Sequence, residues 1–243
     1  MIEIEALTKK FGTKVAVDNL TLAVPTGCLF AFLGPNGAGK TTTIKLLVGL
    51  LRPTAGRMRV CGHDVTAEPQ EVKKLVSYVP DQPFLYDKLS GREFLDFVAQ
   101  MYAIPKPQYE KKAAELIELF EMKDYLDELS EGYSHGMRQR VVLSAALLHD
   151  PQVLIVDEPM VGLDPKTIRL TKDIFRTQAA KGVTLFMSTH TLAIAEELAD
   201  DIAIINHGRL IARGDLPELR RQASTQGNLE DTFLQLTAEE NDV

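Results

Sequence analysis

Gly34-Pro35-Asn36-Gly37-Ala38-Gly39-Lys40-Thr41-Thr42 decides how this chain reads. The stretch fits G-x-x-x-x-G-K-[ST], the pattern of a glycine loop that grips phosphate through its backbone. An apolar run at residues 29–33 leads into it and a helix-like segment at 40–51 leaves it. That is the strand, loop, helix order the pattern requires. Glycines 34, 37 and 39 permit a tight backbone whose N–H groups converge on an anion, and the helix start adds partial positive charge. Lys40 then reaches the outer phosphates, and the Thr41 hydroxyl is suited to ligate Mg²⁺. A bland glycine-rich turn is the alternative; the complete match and its flanks favour a nucleoside triphosphate site.

At 243 residues the chain is near the upper end for one domain, or is a core carrying an inserted lobe. Its 45% apolar and 25% charged residues are ordinary for a soluble globular protein. The longest nearly apolar stretches, such as 141–148, fall far short of the ~18–20 residues a bilayer span needs. The opening MIEIEALTKK alternates like a strand with acidic positions, which is not a secretory signal. Cys28 and Cys61 are too few for a metal cluster or disulfide framework and read as buried thiols in a reducing cytosol. The net charge of −7 argues against non-specific nucleic-acid binding, and no nucleic-acid partner is expected.

Short apolar or alternating runs broken by Gly and Pro predict strands at 2–7, 20–24, 29–33, 57–60 and 76–79. From about residue 84 to 150 the spacing turns helical, at 92–102, 108–120 and 135–148, with no strand-like run between. Leu116, Ile117 and Phe120 share one face of a charge-rich helix, the mark of packing against neighbours. Alternation resumes with strands at 153–156, 183–188 and 202–205 and helices at 165–180 and 190–198. A hairpin at Asn206-His207-Gly208 follows, then a polar tail with one amphipathic helix near 229–236. The expected fold is α/β: a P-loop NTPase core with a parallel-rich sheet flanked by helices and an N-terminal antiparallel β portion, plus an inserted all-helical lobe. Residues 1–83 and 151–215 are assigned to the core, 84–150 to the lobe and 216–243 to a short tail.

A glycine loop alone fits kinases, GTPases and motors alike. The discriminating stretch is Val153-Leu154-Ile155-Val156-Asp157-Glu158-Pro159. Four consecutive apolar residues read as a strand buried on both faces, ending in paired carboxylates. Asp157 is suited to hold Mg²⁺, and the adjacent Glu158 to polarise a water for in-line attack on a γ-phosphate. A phosphotransferase gains nothing from that glutamate, so hydrolysis of ATP is favoured over transfer. Ser188-Thr189-His190 closes another apolar strand. At a sheet end, where ligands of such folds bind, the His190 imidazole is a candidate partner for the γ-phosphate or the attacking water.

In this order the pieces resemble the nucleotide-binding domain of ABC (ATP-binding cassette) transporters over essentially the whole chain. The loop from Gly34 to Thr42 resembles Walker A, and residues 153–159 resemble Walker B. Gly162-Leu163-Asp164-Pro165 is similar to the D-loop, and His190 stands where the family has its switch histidine. The resemblance implies that Phe11, within Lys10-Phe11-Gly12, stacks on adenine; by itself it reads as an ordinary core or surface aromatic. The family's LSGGQ signature corresponds to Tyr133-Ser134-His135-Gly136-Met137, followed by Arg138-Gln139-Arg140. Ser134 and Gly136 are retained, while His135 replaces a glycine and Met137 the glutamine. A serine hydroxyl and N–H groups at a helix start remain able to hold phosphate, although helix capping alone also explains Ser134. In Tyr78-Val79-Pro80-Asp81-Gln82-Pro83 the family's Mg²⁺-facing Q-loop glutamine falls on Asp81 or, with a one-residue shift, on Gln82.

The resemblance implies ATP and Mg²⁺ as cofactors and two partners. One is a second copy or paralogue, docked head to tail so that Ser134 and Gly136 face the ATP held by Lys40 and Thr41 of the other. The second is a membrane-spanning subunit, received around residues 81–90, which sets the chain as a cytoplasmic protein on the inner face of the membrane. Residues Tyr86-Asp87-Lys88-Leu89-Ser90-Gly91 and the signature look most like ATPase subunits of bacterial exporters, and the short tail tilts the same way. Rival readings are a soluble ABC-type ATPase acting on ribosomes or DNA, and a regulatory ATP-binding module. The first lacks the paired cassettes or long coiled coil of such proteins. Against the second stand Lys40, Asp157, Glu158 and His190, all intact.

Overall fold

Leu29–Leu33 is buried at all five positions, so this strand, β3, is covered on both faces. Its side chains alternate between two cores, as strand geometry requires. Leu29, Ala31 and Leu33 join one apolar cluster, and Phe30 and Phe32 the other. The computed structural model describes residues 1–223 and 228–238. In chain order, β1 (Ile2–Phe11) and β2 (Lys14–Val24) precede β3. Then come α1 (Lys40–Leu47), β4 (Ala55–Val60), β5 (His63–Asp64), α2 (Pro69–Leu75) and β6 (Val76–Val79). Three helices follow without a strand: α3 (Gly91–Met101), α4 (Lys106–Leu119) and α5 (His135–Leu147). The rest is β7 (Val153–Asp157), α6 (Pro165–Ala180), β8 (Thr184–Thr189), α7 (Leu192–Leu198), β9 (Asp201–Asn206), β10 (Arg209–Gly214), α8 (Leu216–Gln222) and α9 (Leu229–Ala238).

Six strands form one sheet in the order β10-β9-β3-β8-β7-β6, parallel except for the β9–β10 hairpin. The other four form an antiparallel sheet, β2-β1-β4-β5. That sheet and α1 cover one face of the parallel sheet; Ile2, Ile4, Leu22, Met58 and Ile44 share a core with Phe30, Phe32 and Phe186. The Phe186 ring sits 5.2 Å from Phe30 and 5.3 Å from Phe32. Truncating such a fully buried ring costs about 3–5 kcal/mol, so this aromatic stack anchors β3 to β8. Helices cover the opposite face, with Leu95, Leu116, Ile117, Phe120, Val141 and Phe175 among those packed there.

Register sets the strand ends level. Leu33 pairs with Thr189 across β3 and β8, and Asp157 pairs with Ser188 across β7 and β8. The ends of three neighbouring strands thus deliver the glycine loop, the two carboxylates and the Ser188-Thr189-His190 turn to one rim. Ligands of parallel α/β sheets bind at that rim.

The α/β class, the antiparallel N-terminal part and the helices between β6 and β7 agree with the sequence. Several boundaries differ. The first helix ends at Leu47 rather than near 51, because Gly49 turns left-handed at φ 71° and breaks it. His190 precedes α7, which starts at Leu192 after Thr191. Two helices expected as loop or tail are present. Asp215 caps α8 by accepting from Glu218 N at 2.8 Å, and proline stands early in both α8 and α2. Cys28 is buried, and burial beside Asp200 and Asp201 pushes its thiol up to about 11, which keeps it inert. Cys61 is only half-buried, a correction to its reading as a buried thiol, because its left-handed backbone (φ 54°) puts it at the turn after β4. Among the described residues no helix is long and apolar enough to cross a membrane.

Candidate active site

The glycine loop leaves β3 so close to β9 that no side chain fits at its first position. A β-carbon on Gly34 would stand 2.4 Å from the Ile205 carbonyl oxygen. Gly39, left-handed at φ 108°, opens α1 with its own would-be β-carbon 2.5 Å from the Ala16 carbonyl. Both positions demand glycine, one for space and one for space and conformation. Gly34→Ala is expected to cost about 2–3 kcal/mol through overpacking and to lower the thermal midpoint by about 4–10 °C, measured by calorimetry.

Lys40 opens α1 with its side chain only 7% exposed. Its ammonium donates to Gly34 O at 2.7 Å and to Pro35 O at 3.3 Å, and lies 3.6 Å from Glu158 Oε1. Glu158 follows β7 with a left-handed backbone, φ 48°, uncommon for a residue with a side chain. Its N–H donates to Ser188 O at 3.1 Å and Ser188 Oγ at 3.2 Å. The Glu158 carboxylate also meets His190, whose Nδ1 is 2.9 Å from the same Oε1 and whose backbone N–H donates to Oε2 at 3.3 Å. The imidazole therefore reaches the cleft through Glu158 rather than lining it directly.

Asp157 is fully buried. Oδ1 accepts from the Ser188 hydroxyl, while Oδ2 has no hydrogen-bond partner among the described residues. Burial raises its carboxyl above the usual range, opposed by the Ser188 and Thr41 hydroxyls and reinforced by Asp81 and Glu158. A buried carboxylate oxygen without a donor, near a threonine hydroxyl and a second aspartate, is the hard-oxygen setting that suits Mg²⁺. The residues present fit that ion.

Lys40 and Glu158 line an open cleft of about 480 Å³ together with residues 36–39, Thr41, Thr42, Asp81, Phe11, Lys14 and Ala16, while Asp157 and His190 do not line it. Phe11 is 48% exposed, and Lys9 Nζ lies 5.0 Å from its ring centre. Of the two Q-loop candidates, Asp81 lines the cleft and Gln82 does not. Ser134 and Gly136 do not line it either. Ser134 caps α5, its hydroxyl accepting from Met137 N at 3.3 Å, and a β-carbon on Gly136 would stand 3.4 Å from Asp164 Oδ2. Tyr133 ahead of them has a structural use: its hydroxyl accepts from Gly91 N at 3.0 Å and is 2.9 Å from Tyr125 O, tying α3 to the start of α5.

Ser188 is the functional residue whose use the sequence did not disclose. It bonds both Asp157 and the Glu158 backbone, and the only signal was a hydroxyl that follows the apolar Leu185-Phe186-Met187 run of β8.

A phosphate loop at a helix start, a buried aspartate and an adjacent glutamate at level strand ends together define a P-loop nucleoside triphosphatase. Comparison with known proteins narrows the class. The family model for ABC transporters matches residues 17–161. The chain is 42% identical over 219 residues to the daunorubicin/doxorubicin resistance ATP-binding protein DrrA of Streptomyces peucetius, covering 90% of this chain and 66% of that one. It is 34% identical over 219 residues to the Nod factor export ATP-binding protein I of Ralstonia nicotianae, covering 90% and 68%. The chain thus spans about two thirds of the length of these two relatives. A solved structure of the ATP-binding subunit of an ABC transporter superposes with a TM-score of 0.92 at 33% identity, covering 98% of this chain and 99% of the other. This chain belongs to the ABC transporter family, as an ATP-binding subunit.

Proposed function

We propose that this subunit hydrolyses ATP to drive export through a separate membrane-spanning partner, with two copies or near-copies closing head to tail around the nucleotide. The observation that carries the reading is the Glu158 carboxylate, held between Lys40 and His190 at the rim of the cleft. The N–H groups of Gly34, Asn36, Gly37, Ala38 and Gly39 and of the α1 start cradle the phosphates, with Pro35, which has no N–H, shaping the loop and Thr42 beside them, and Lys40 neutralises their outer charge. Thr41 and Asp157 would hold Mg²⁺, with Asp81 favoured over Gln82 as the third group because it lines the cleft. When bound, Mg²⁺ offsets the charge of the phosphate oxygens. Glu158 takes the proton of the attacking water, and His190 orients that carboxylate. Phe11 stacks on the base. Ser134 and Gly136 offer the α5 N-terminus to the ATP of the opposing copy. Residues 1–83 and 151–215 act as the nucleotide-binding core, and 84–150 as the lobe that carries the signature.

A second surface supports a membrane partner. Between β6, α3 and α5 lies an apolar groove of about 360 Å³, lined by Phe84, Tyr86, Phe97, Met101 and Tyr102, with His149 stacked on Tyr102. Phe84 and Met101 are 67% and 70% exposed, a concentration of large apolar side chains that marks a docking site. An amphipathic helix of the membrane subunit fits such a groove. It would hold this chain at the cytoplasmic face as a peripheral protein, and the likeness to a Nod factor export protein supports export.

Met101→Glu tests the groove. Sinking a carboxylate into an apolar contact is expected to weaken docking by about 10²-fold, so the variant moves from the membrane pellet to the soluble fraction. Unmodified chain should sediment with membranes and leave with detergent. Equal membrane retention of the variant would remove the groove from the account, and sedimentation with ribosomes would remove the transport role.

A further inference from the structure

The loop that follows Glu158 is gripped by one face of α5. Gln139, 2% exposed, donates from Nε2 to the Pro159 carbonyl at 3.2 Å. One turn earlier, His135 Nε2 lies 3.1 Å from the Val161 carbonyl. A carbonyl only accepts, so Nε2 carries a proton and donates. The same ring stands 3.5 Å from where a Gly162 β-carbon would be, and Gly162 is left-handed at φ 73°. Positions 135 and 139 are four apart and share a helix face, so both bonds act on one short loop. Just beyond it, Arg140 donates to Thr167 Oγ1 at 3.0 Å, and Thr167 is bonded to Asp164 through its N–H and hydroxyl.

This grip bears on the Glu158 backbone, which sits in the left-handed region. Such a conformation persists only when its surroundings over-determine it. Ser188 holds the Glu158 N–H on one side, and α5 holds the next carbonyl, that of Pro159, on the other. The helix whose first turn carries Ser134 and Gly136 is thereby tied to the carboxylate of its own chain.

We propose that His135 and Gln139 are positioning residues for Glu158: they clamp residues 159–162 so that the carboxylate keeps its pose, and phosphate seated at the α5 N-terminus is felt at Glu158 of the same chain. The proposal rests on the reading of Glu158 as the base. His135, a departure from the family glycine, then acts as a strut that glycine cannot supply. Gln139 is buried away from the cleft, so its effect cannot arise from touching nucleotide.

The test is steady-state phosphate release by the full chain, read as kcat and KM for ATP. Losing one hydrogen bond of this kind is expected to lower kcat about five- to tenfold in Gln139→Met and in His135→Gly, with KM held within about twofold. Gln139→Met keeps length and bulk without the donor. His135→Gln, whose amide nitrogen replaces Nε2, should keep at least about half of the unmodified kcat. Hydrogen exchange at residues 160–164 should speed up in both donor-less variants. Unchanged kcat in Gln139→Met would overturn the clamp, as would His135→Gln being as slow as His135→Gly. Should Gln139→Met fail to fold, the exposed His135 pair decides alone. Turnover that survives Glu158→Gln sinks base and clamp together, whereas turnover that needs Glu158 and ignores both α5 residues sinks the clamp only.

Discussion

Glu158→Gln is expected to lower phosphate release by about 10²–10⁴-fold, the range that a general base contributes. The amide keeps the shape of the side chain and can still bond His190, but it cannot accept the proton of the attacking water. The carboxylate is 3.6 Å from Lys40 Nζ and 2.9 Å from His190 Nδ1, so its loss also leaves two donors without an anion between them. ATP affinity should hold or rise, because the phosphate then meets Lys40 without a competing carboxylate. Malachite-green phosphate release and equilibrium ATP binding separate these effects. Turnover within about threefold of the unmodified chain would be incompatible with Glu158 as base.

Lys40→Ala carries the second large effect, and it falls on binding as well as on chemistry. The ammonium is almost fully buried and points back at the loop carbonyls of Gly34 and Pro35, within reach of any anion the loop cradles. Each charge-assisted hydrogen bond lost is worth about 1.5–3 kcal/mol, which predicts at least about tenfold weaker ATP binding. Hydrolysis should fall by about 10²-fold or more, since the same charge faces the transferring phosphoryl group. The thermal midpoint without nucleotide should change little, as removing the lysine relieves its own desolvation. Fluorescent ATP titration and phosphate release measure both losses. A variant that binds and hydrolyses normally would mean that the loop serves another purpose.

Much of this was legible along the chain because the relevant signals are local. The run of residues 29–33 read as a two-faced buried strand, and the structure buries all five of its residues. The pair Asp157-Glu158 read as the end of a buried strand, and Asp157 is fully buried there. What escaped depends on which strands become neighbours. Ser188 lies thirty-one residues from Asp157, and only the β7–β8 register puts its hydroxyl on that carboxylate. The left-handed turn at Glu158 has no sequence mark, since neither glycine nor asparagine stands there. His190 was placed near the phosphate by its position after an apolar strand, yet its ring meets Glu158 first. That Asp81 and not Gln82 lines the cleft likewise escaped, because a one-residue shift in a loop leaves no periodic trace. Helix α8 was missed although Asp215 and the proline at 217 are ordinary start signals; seven residues are too few to show a period.

The account turns on ATP being shared between two chains. Sedimentation velocity of the Glu158→Gln chain with saturating ATP and Mg²⁺ measures this most directly. The account predicts a species of twice the chain's mass that forms with ATP, fails to form with ADP, and is abolished by Ser134→Phe at the α5 N-terminus. A chain that stays single under every one of those conditions while binding ATP would contradict it.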